Sequence, residues 1–489
     1  MKARIITSIL FLSILVLPLN DGFAQTDASA LSPVVNYLLL QDSDAGEFPP
    51  KPKFTVELPI HSSGPVYNVS YAQWNIQTGA DANPEENSER MQAAINFAEQ
   101  QGFKTISLPP GEVILGDPLG NPAYYYEGFR LPSDVTLLMD ENTILRMRPN
   151  AAWNQCLIYV YLSENVTIKG GQLVGDREEH DYVPIIINVN PVTNHDEGHG
   201  ICVTQSDHVL IENTKISKFT GDGILVIGTD SRHVTIRNNE IFYNRRQGVS
   251  LVGPHLVKIE DNHIHDIIGI PPQFGVDVEA TPDQFGLDRD ILIQRNIFEG
   301  NRGGGVTLQS GRNIFVLNNT MTESAEPGRE WRGAGVTFFN RAEGIIQGNV
   351  IRKAVVDNIQ TTGSGIKELP VGEEETNRQL YIHDNVCVGC GLLLTGSKVG
   401  PDVRRNKFGG DIFWFIDVEN LTLIDNNQMG ASSTNCFNVK FQRTTGYARG
   451  NTFNSEPIEY PLSRSTPYNS PGNSAIPGST SCPFVDLGD

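Results

Sequence analysis

Apolar and polar positions along this chain alternate in short runs, and the runs repeat. A Gly, a β-branched residue, one variable residue and a second apolar residue recur as Gly200-Ile201-Cys202-Val203, Gly223-Ile224-Leu225-Val226, Gly248-Val249-Ser250-Leu251, Gly275-Val276-Asp277-Val278 and Gly305-Val306-Thr307-Leu308. A second run interleaves with the first: apolar-x-apolar, then Asn and another apolar residue. Val234-Thr235-Ile236 with Asn239 and Ile241 is one example, and Val257-Lys258-Ile259 with Asn262 and Ile264 is another. The asparagines Asn239, Asn262, Asn296, Asn319, Asn349, Asn385, Asn406, Asn426 and Asn451 follow at intervals of 20 to 36 residues. Self-similarity at such a period specifies stacked repeats.

Each period-2 run is too short to bury a face alone. Stacking gives every strand two parallel neighbours and fills the interior with Val, Ile, Leu and Phe. Asparagines at equivalent turns can then bond from coil to coil and satisfy turn backbone that would otherwise be buried unpaired. The shorter intervals suit a coil of three short strands. Longer ones, such as Asn262 to Asn296, throw loops out at the corners. The pattern therefore predicts an all-β fold, a right-handed parallel β-helix, over residues 66–460. Leucine-rich repeats share the period but need Leu-x-x-Leu-x-Leu and helices, which this sequence lacks.

The ends read differently. Met1-Lys2-Ala3-Arg4, an apolar run from Ile5 to Leu17 and a small residue at Ala24 predict a signal peptide over 1–24, too short in its apolar run to span a bilayer. No later run is long and apolar enough to cross a membrane, so the expected location is secreted or periplasmic. Residues 25–65 are Pro-, Ser- and Asp-rich and predict an extended lead-in. Residues 461–489 predict an extended or disordered tail. Between them, Met91, Ala94, Ile95 and Ala98 fall on one helical face, with Asn87 or Ser88 as the expected N-cap. Such a helix would close the open end of the solenoid, whose strand edges otherwise invite association.

The net charge of −20 over 489 residues excludes the basic footprint of a nucleic-acid binder. It also weighs against a polyanionic substrate unless basic residues gather in one groove. Six cysteines in an exported chain permit disulfides, with the pairing open. Cys387 and Cys390 form a C-x-x-C within a repeat coil, which is not the βαβ setting of a redox motif.

Candidate chemistry concentrates between Gly175 and Glu279. Between Gly175 and Gly200 lie Asp176, Arg177, His180, Asp181, Tyr182, His195, Glu197 and His199, on an insertion of the kind that carries binding loops. A solvated surface loop is the bland alternative. Arg245 and Arg246 form a cationic pair suited to carboxylate or sulfate, unless acidic neighbours claim them. Asp277 and Glu279 alternate with Val276 and Val278, so both face outward, about 7 Å apart along the strand. That spacing is near the range of inverting glycosidases, and repulsion between the two would split their proton affinities into an acid and a base. An Arg-paired surface couple is the alternative. His199, Asp222 and Gln247 each precede the repeat glycine and so occupy equivalent places on successive coils. The placement predicts that His180, His199, Asp222, Arg246, Asp277 and Glu279 share one groove. His195 and His199 are four apart, but without a helix that spacing makes no metal site. No metal is expected; calcium is the one cofactor the acidic residues admit, without a loop signature for it.

The helix followed by Thr105-Ile106-Ser107-Leu108-Pro109-Pro110-Gly111, and the next coil Gly128-Phe129-Arg130-Leu131-Pro132, resemble the N-terminal cap of the pectate-lyase-like superfamily. Gly175-Asp176-Arg177 with His180, Gly198-His199-Gly200, Asn244-Arg245-Arg246-Gln247-Gly248 and Gly275-Val276-Asp277-Val278-Glu279 resemble motifs of polysaccharide lyase family 31 type alginate lyases. That likeness implies a secreted enzyme cutting an anionic uronic-acid polymer by β-elimination. In this reading Arg245 or Arg246 neutralises the uronate carboxylate, and His199 or Tyr182 is the base. Asp176, Arg177, His180, Asp222 and Gln247 bind substrate. Mannuronan C5-epimerases carry Asp-Pro-His-Glu where this chain has Asp277-Val278-Glu279, lacking the His. Polygalacturonases share Gly-His-Gly but add paired aspartates not found here. Three further readings stand beside the lyase: an inverting hydrolase using Asp277 and Glu279, a mannuronan-type C5-epimerase, and a non-catalytic glycan-binding β-helix. The last would be expected to show aromatic platforms, yet tryptophan is scarce at four in the chain, with Trp331 and Trp414 the candidates among the later repeats.

Overall fold

The structure, a computed structural model, describes residues 51–462 with gaps at 61–63, 80–81, 118–124, 188–189, 280–287, 323–333, 370–378 and 429–437, and breaks of one to three residues elsewhere beyond 339. The expected signal peptide, most of the lead-in, nearly all of the tail, Trp331, Cys436 and Cys482 lie outside the described residues.

Strands stack in parallel ladders, each strand pairing with its equivalent one coil away. Among the described residues, one ladder forms a 12-stranded sheet of its own, and it carries the candidate site. Its first seven strands are β1 (Tyr125–Arg130), β2 (Asn154–Tyr161), β3 (Glu197–Thr204), β4 (Asp222–Ile227), β5 (Gln247–Val252), β6 (Phe274–Val278) and β7 (Gly304–Leu308). Ile158, Ile201, Ile224, Val249, Val276 and Val306 stack down this ladder and are fully buried. All-β right-handed parallel β-helix architecture is what the repeat pattern requires.

The repeat glycine has a steric cause. A Cβ on Gly248 would lie 2.4 Å from both Ile264 Cγ2 and the Gly275 carbonyl, and one on Gly223 would lie 2.7 Å from Ile241 Cγ2. The glycine and the β-branched residue after it both face the interior. The residue before the glycine is therefore turned outward, and that is the place of His199, Asp222 and Gln247.

The asparagine ladder runs unbroken from Asn239 to Asn451. At each step the backbone N–H of one Asn donates to Oδ1 of the next, at 2.9–3.0 Å. Each side-chain amide also donates to a carbonyl of the preceding coil that would otherwise be buried unpaired, as Asn296 Nδ2 does for Ile259 O at 2.9 Å. The residue before the ladder Asn is left-handed, with φ of 54° at Asn238, 57° at Asp261 and 54° at Asn318. Asn and Asp tolerate that conformation better than most residues.

The capping helix spans Pro84–Gln100 and buries Met91, Ala94, Ile95 and Ala98 as expected. Its N-cap is Asn83, whose side chain accepts from Glu86 N, with Pro84 opening the first turn. Asn87 and Ser88 are thus inside the helix, not at its cap. Both are buried and bond to the first coil: Asn87 Nδ2 donates to Ile114 O at 3.0 Å, and Ser88 Oγ to Gly116 O at 2.8 Å. Disulfides join Cys156 to Cys202, across β2 and β3, and Cys387 to Cys390. Among the described residues, no helix is long and apolar enough to cross a membrane.

Candidate functional site

The outer face of β3 to β7 gathers an ionic cluster. Arg246, at the entry to β5, reaches both ways: Nη1 to Asp222 Oδ2 at 3.0 Å, and Nη2 to Glu279 Oε1 at 2.7 Å. His199 stands over Asp222, with its Nδ1 accepting from Asp222 N at 3.2 Å and its Nε2 3.5 Å from Glu197 Oε2. Asp277 sits between two amides. Gln247 Nε2 donates to its Oδ2 at 2.6 Å, and Gln309 Nε2 to its Oδ1 at 3.0 Å. Gln247 is itself fixed, because its Oε1 accepts from Phe274 N at 2.8 Å.

The register explains the gathering. Ser250, Asp277 and Thr307 pair as direct neighbours on β5, β6 and β7. Asp277 is fully buried, while the Glu279 side chain keeps 17% exposure. Burial, and then the nearby Glu279 charge, raise the Asp277 proton affinity well above that of an ordinary Asp, outweighing Arg246 and Gln309. Burial also raises Glu279, against the opposing pull of Arg246. Burial disfavours the Arg246 cation, but the charges of Asp222, Glu279 and Asp277 outweigh it and hold the guanidinium charged. His199 behaves alike: burial lowers its proton affinity, yet Glu197 and Asp222 together carry it above the ordinary imidazole value. The arrangement can hold a proton on one carboxyl beside a second, more exposed carboxylate, which is what acid–base chemistry requires.

The structure brings together His199, Asp222, Arg246, Gln247, Asp277 and Glu279. It places Asp176, Arg177, His180, Tyr182 and Arg245 in a different cluster, and the expected convergence of His180 on the groove is not what the fold does. The His180 and Asp176 side chains are completely buried. His180 Nδ1 meets Asp176 Oδ2 at 2.8 Å and its Nε2 meets His195 Nδ1 at 3.0 Å, while His195 Nε2 meets Val183 O at 2.7 Å. Arg245 lies over the Tyr182 ring, 4.6 Å from its centroid, and donates to Asn194 O at 2.5 Å. Arg177 donates to Tyr243 O at 2.7 Å, and the Tyr182 hydroxyl donates to Arg177 O at 2.8 Å. These groups pin the 176–197 insertion to the solenoid. The two neighbouring arginines thus have separate duties, and Tyr182, its proton affinity raised by burial, is hydrogen-bonded away from the carboxylates.

Three site residues went unassigned from sequence. Gln309 was visible only as an uncharged neighbour of Glu279. Glu197 was one acid among many on the insertion. Asp288 gave no signal: it is fully buried, accepts from Gly253 N at 3.0 Å through Oδ1, and is raised well above an ordinary Asp by burial.

A family model described as the right-handed β-helix region matches residues 128–285. The Bacillus subtilis (strain 168) protein YclG is 29% identical over 341 residues, covering 65% of this chain and 54% of YclG. The chain spans 54% to 58% of the length of the curated relatives it matches. Among solved structures, the A-module of the Azotobacter vinelandii mannuronan C-5 epimerase AlgE6 superposes with a TM-score of 0.56 at 15% identity, covering 80% of this chain and 98% of the module. A hyperthermoactive exopolygalacturonase from Thermotoga maritima superposes with a TM-score of 0.53 at 16% identity, covering 83% of this chain and 97% of that one. Identity at this level speaks for the fold alone. With its stacked parallel ladders, asparagine spine and matched repeat region, the chain has the right-handed parallel β-helix fold.

Proposed function

We propose that this protein is a polysaccharide-cleaving enzyme and that Asp277 and Glu279 are its acid–base pair. The observation that carries this reading is the pair itself: two carboxyls on the outer face of one sheet, one buried and one at the surface, both of raised proton affinity. Two residues along a strand separate them by about 6.6 Å, close to the roughly 6.5–9.5 Å of inverting hydrolases. Asp277, biased toward its protonated form by burial and by Glu279, donates its proton to the glycosidic oxygen once the Gln309 amide swings off Oδ1. Glu279, kept in place by Arg246, takes a proton from water. The water oxygen bonds to the anomeric carbon as the carbon–oxygen bond to the leaving sugar breaks.

The charge of the site supports a neutral sugar at the cleaved bond. Arg246 is already met by two carboxylates, with Asp277 close by, and Arg245 is committed to the insertion. The structural relatives act on mannuronan and, by its name, polygalacturonan, so β-elimination on a uronate polymer is the second reading. It requires an incoming uronate to take the place of Glu279 on Arg246. A polymer rather than a short sugar is supported by Tyr159 and Tyr161, stacked at 5.5 Å on the same face. Tyr161 lies four strand spacings, about 19 Å, from Glu279 down one outward row. The Cys156–Cys202 disulfide fits action in an oxidising, extracytoplasmic compartment.

The test is a panel of alginate, pectate, glucuronan and neutral glycans, followed by reducing ends and by the ultraviolet absorbance of unsaturated ends. Saturated products from a neutral glycan support hydrolysis. Unsaturated products from a uronate polymer, lost in Arg246→Ala, move the assignment to elimination. No cleavage of any polymer, by protein that still binds one, leaves the non-catalytic reading.

A further inference from the structure

A second constellation lies on a different ladder from Asp277 and Glu279. The strand His263–His265 buries Ile264 and turns both imidazoles outward. It lies between Glu240–Phe242 and Ile297–Glu299, with Glu240 opposite His263 and Glu299 opposite His265. The two imidazoles stack at 4.2 Å between centroids, and Phe242 stacks on His265 at 5.1 Å. A nitrogen from each His and a carboxylate oxygen of Glu240 all lie within 4.8 Å of one another.

Two details distinguish this from an incidental surface cluster. His265 Nδ1 bonds to Asp266 Oδ2 at 2.8 Å, which places the ring proton on Nδ1 and leaves the lone pair on Nε2. A carboxylate behind the non-ligating nitrogen is the arrangement that orients histidine for a metal. That Nε2 is buried, has no hydrogen-bond partner among the described residues, and points toward Glu240 Oε1 at 3.6 Å. Lys215 occupies the other Glu240 oxygen, at 2.8 Å, so Oε1 remains for a ligand.

We propose that Glu240, His263 and His265 bind a zinc-class divalent cation, with Glu299 or water completing the shell. Two imidazoles and a carboxylate suit zinc or its neighbours, not calcium or magnesium, which take oxygen ligands. Zinc bonds of about 2.0–2.1 Å require the donors to close to roughly 3.4 Å apart. Rotation of the half-exposed His263 and Glu240 side chains supplies the movement. Glu299 Oε2 is already 3.3 Å from His263 Nε2. Because its ligands come from neighbouring coils, the ion would staple them together. The cluster of Glu57, His208 and His233 is a poorer cage: His233 Nδ1 accepts from Glu57 N at 3.0 Å, so the neutral ring carries its proton on Nε2 and has no lone pair left for a metal.

The test is zinc titrated calorimetrically into chelator-treated full-length protein, beside His265→Gln, Asp266→Asn and a His208→Gln/His233→Gln control. The expected result is one zinc per chain, binding abolished in His265→Gln, weakened about 10- to 100-fold in Asp266→Asn, and unchanged in the control. Zinc should raise the melting temperature of the wild type but not of His265→Gln, and circular dichroism of the zinc-free proteins should coincide. Calcium should not compete. Equal zinc binding by wild type and His265→Gln, its loss in the control instead, or no binding by the wild type, overturns the assignment.

Discussion

Replacing Arg246 by Met removes the guanidinium while keeping a flexible apolar stem of similar reach. Two charge-assisted bonds go with it, 3.0 Å to Asp222 and 2.7 Å to Glu279. Asp222 is fully buried, whereas Arg246 and Glu279 are 18% and 17% exposed. Removing one partner from a buried pair costs about 3–5 kcal/mol. Partial exposure, and the His199 that stays on Asp222, bring the expectation to the lower end, about 3 kcal/mol near neutral pH. The sign with pH follows from protonation. Burial already raises the folded-state proton affinity of Glu279 against the pull of Arg246, and without the cation it rises further. The deficit is therefore small below the ordinary carboxylate range of about pH 4 and opens as pH rises through the raised folded values. Chemical denaturation of wild type and variant at several pH values measures it. Arg246→Met combined with Glu279→Gln should recover at least about 1 kcal/mol, since one stranded charge is gone. A deficit under about 1 kcal/mol, or one independent of pH, refutes a cluster organised around Arg246.

Asn296→Ala deletes bonds to Asn262 N, Asn262 Nδ2, Ile259 O and Asn319 Oδ1; with about 1–3 kcal/mol for each group left unpaired inside, thermal unfolding should show a loss of roughly 4 kcal/mol. Gly248→Ala drives a Cβ into Ile264 and the Gly275 carbonyl and should cost about 3 kcal/mol or more, read as a lowered melting temperature. Asp277→Asn should be more stable than wild type near neutral pH and similar in acid, because burial and Glu279 raise the Asp277 proton affinity and wild-type stability falls as pH rises through it. The same variant should lose about 10²–10⁴-fold in turnover.

The fold was legible because a solenoid repeats its solution. One period places Asn239 through Asn451 at equivalent turns, and two-residue alternation alone turns Asp277 and Glu279 outward once Val276 and Val278 are buried. The equivalence of His199, Asp222 and Gln247 came from the same register. What sequence could not resolve depends on how the 176–197 insertion folds back. Arg245 and Arg246 are adjacent in sequence, but one is claimed by Tyr182 and Asn194 O and the other by Asp222 and Glu279. His180 looked like a groove residue and is a buried pin, because His195 returns over it. The helix is capped at Asn83, four or five residues before the expected Asn87 or Ser88, because Asn83-Pro84 is the stronger start signal. The pairing of Glu240 with His263 and His265 needs the coil register, which a lone His-x-His does not announce.

The central claim, that Asp277 and Glu279 work as an acid–base pair across a cleaved glycosidic bond, is tested most directly by the stereochemistry of the first product. Proton NMR of the reaction on the best substrate of the panel, recorded before mutarotation, reads the anomeric configuration at the new reducing end. The account predicts a saturated product of inverted configuration, absent with Asp277→Asn and with Glu279→Gln. A retained configuration, an unsaturated end, or an inverted product formed at the wild-type rate by either variant contradicts it.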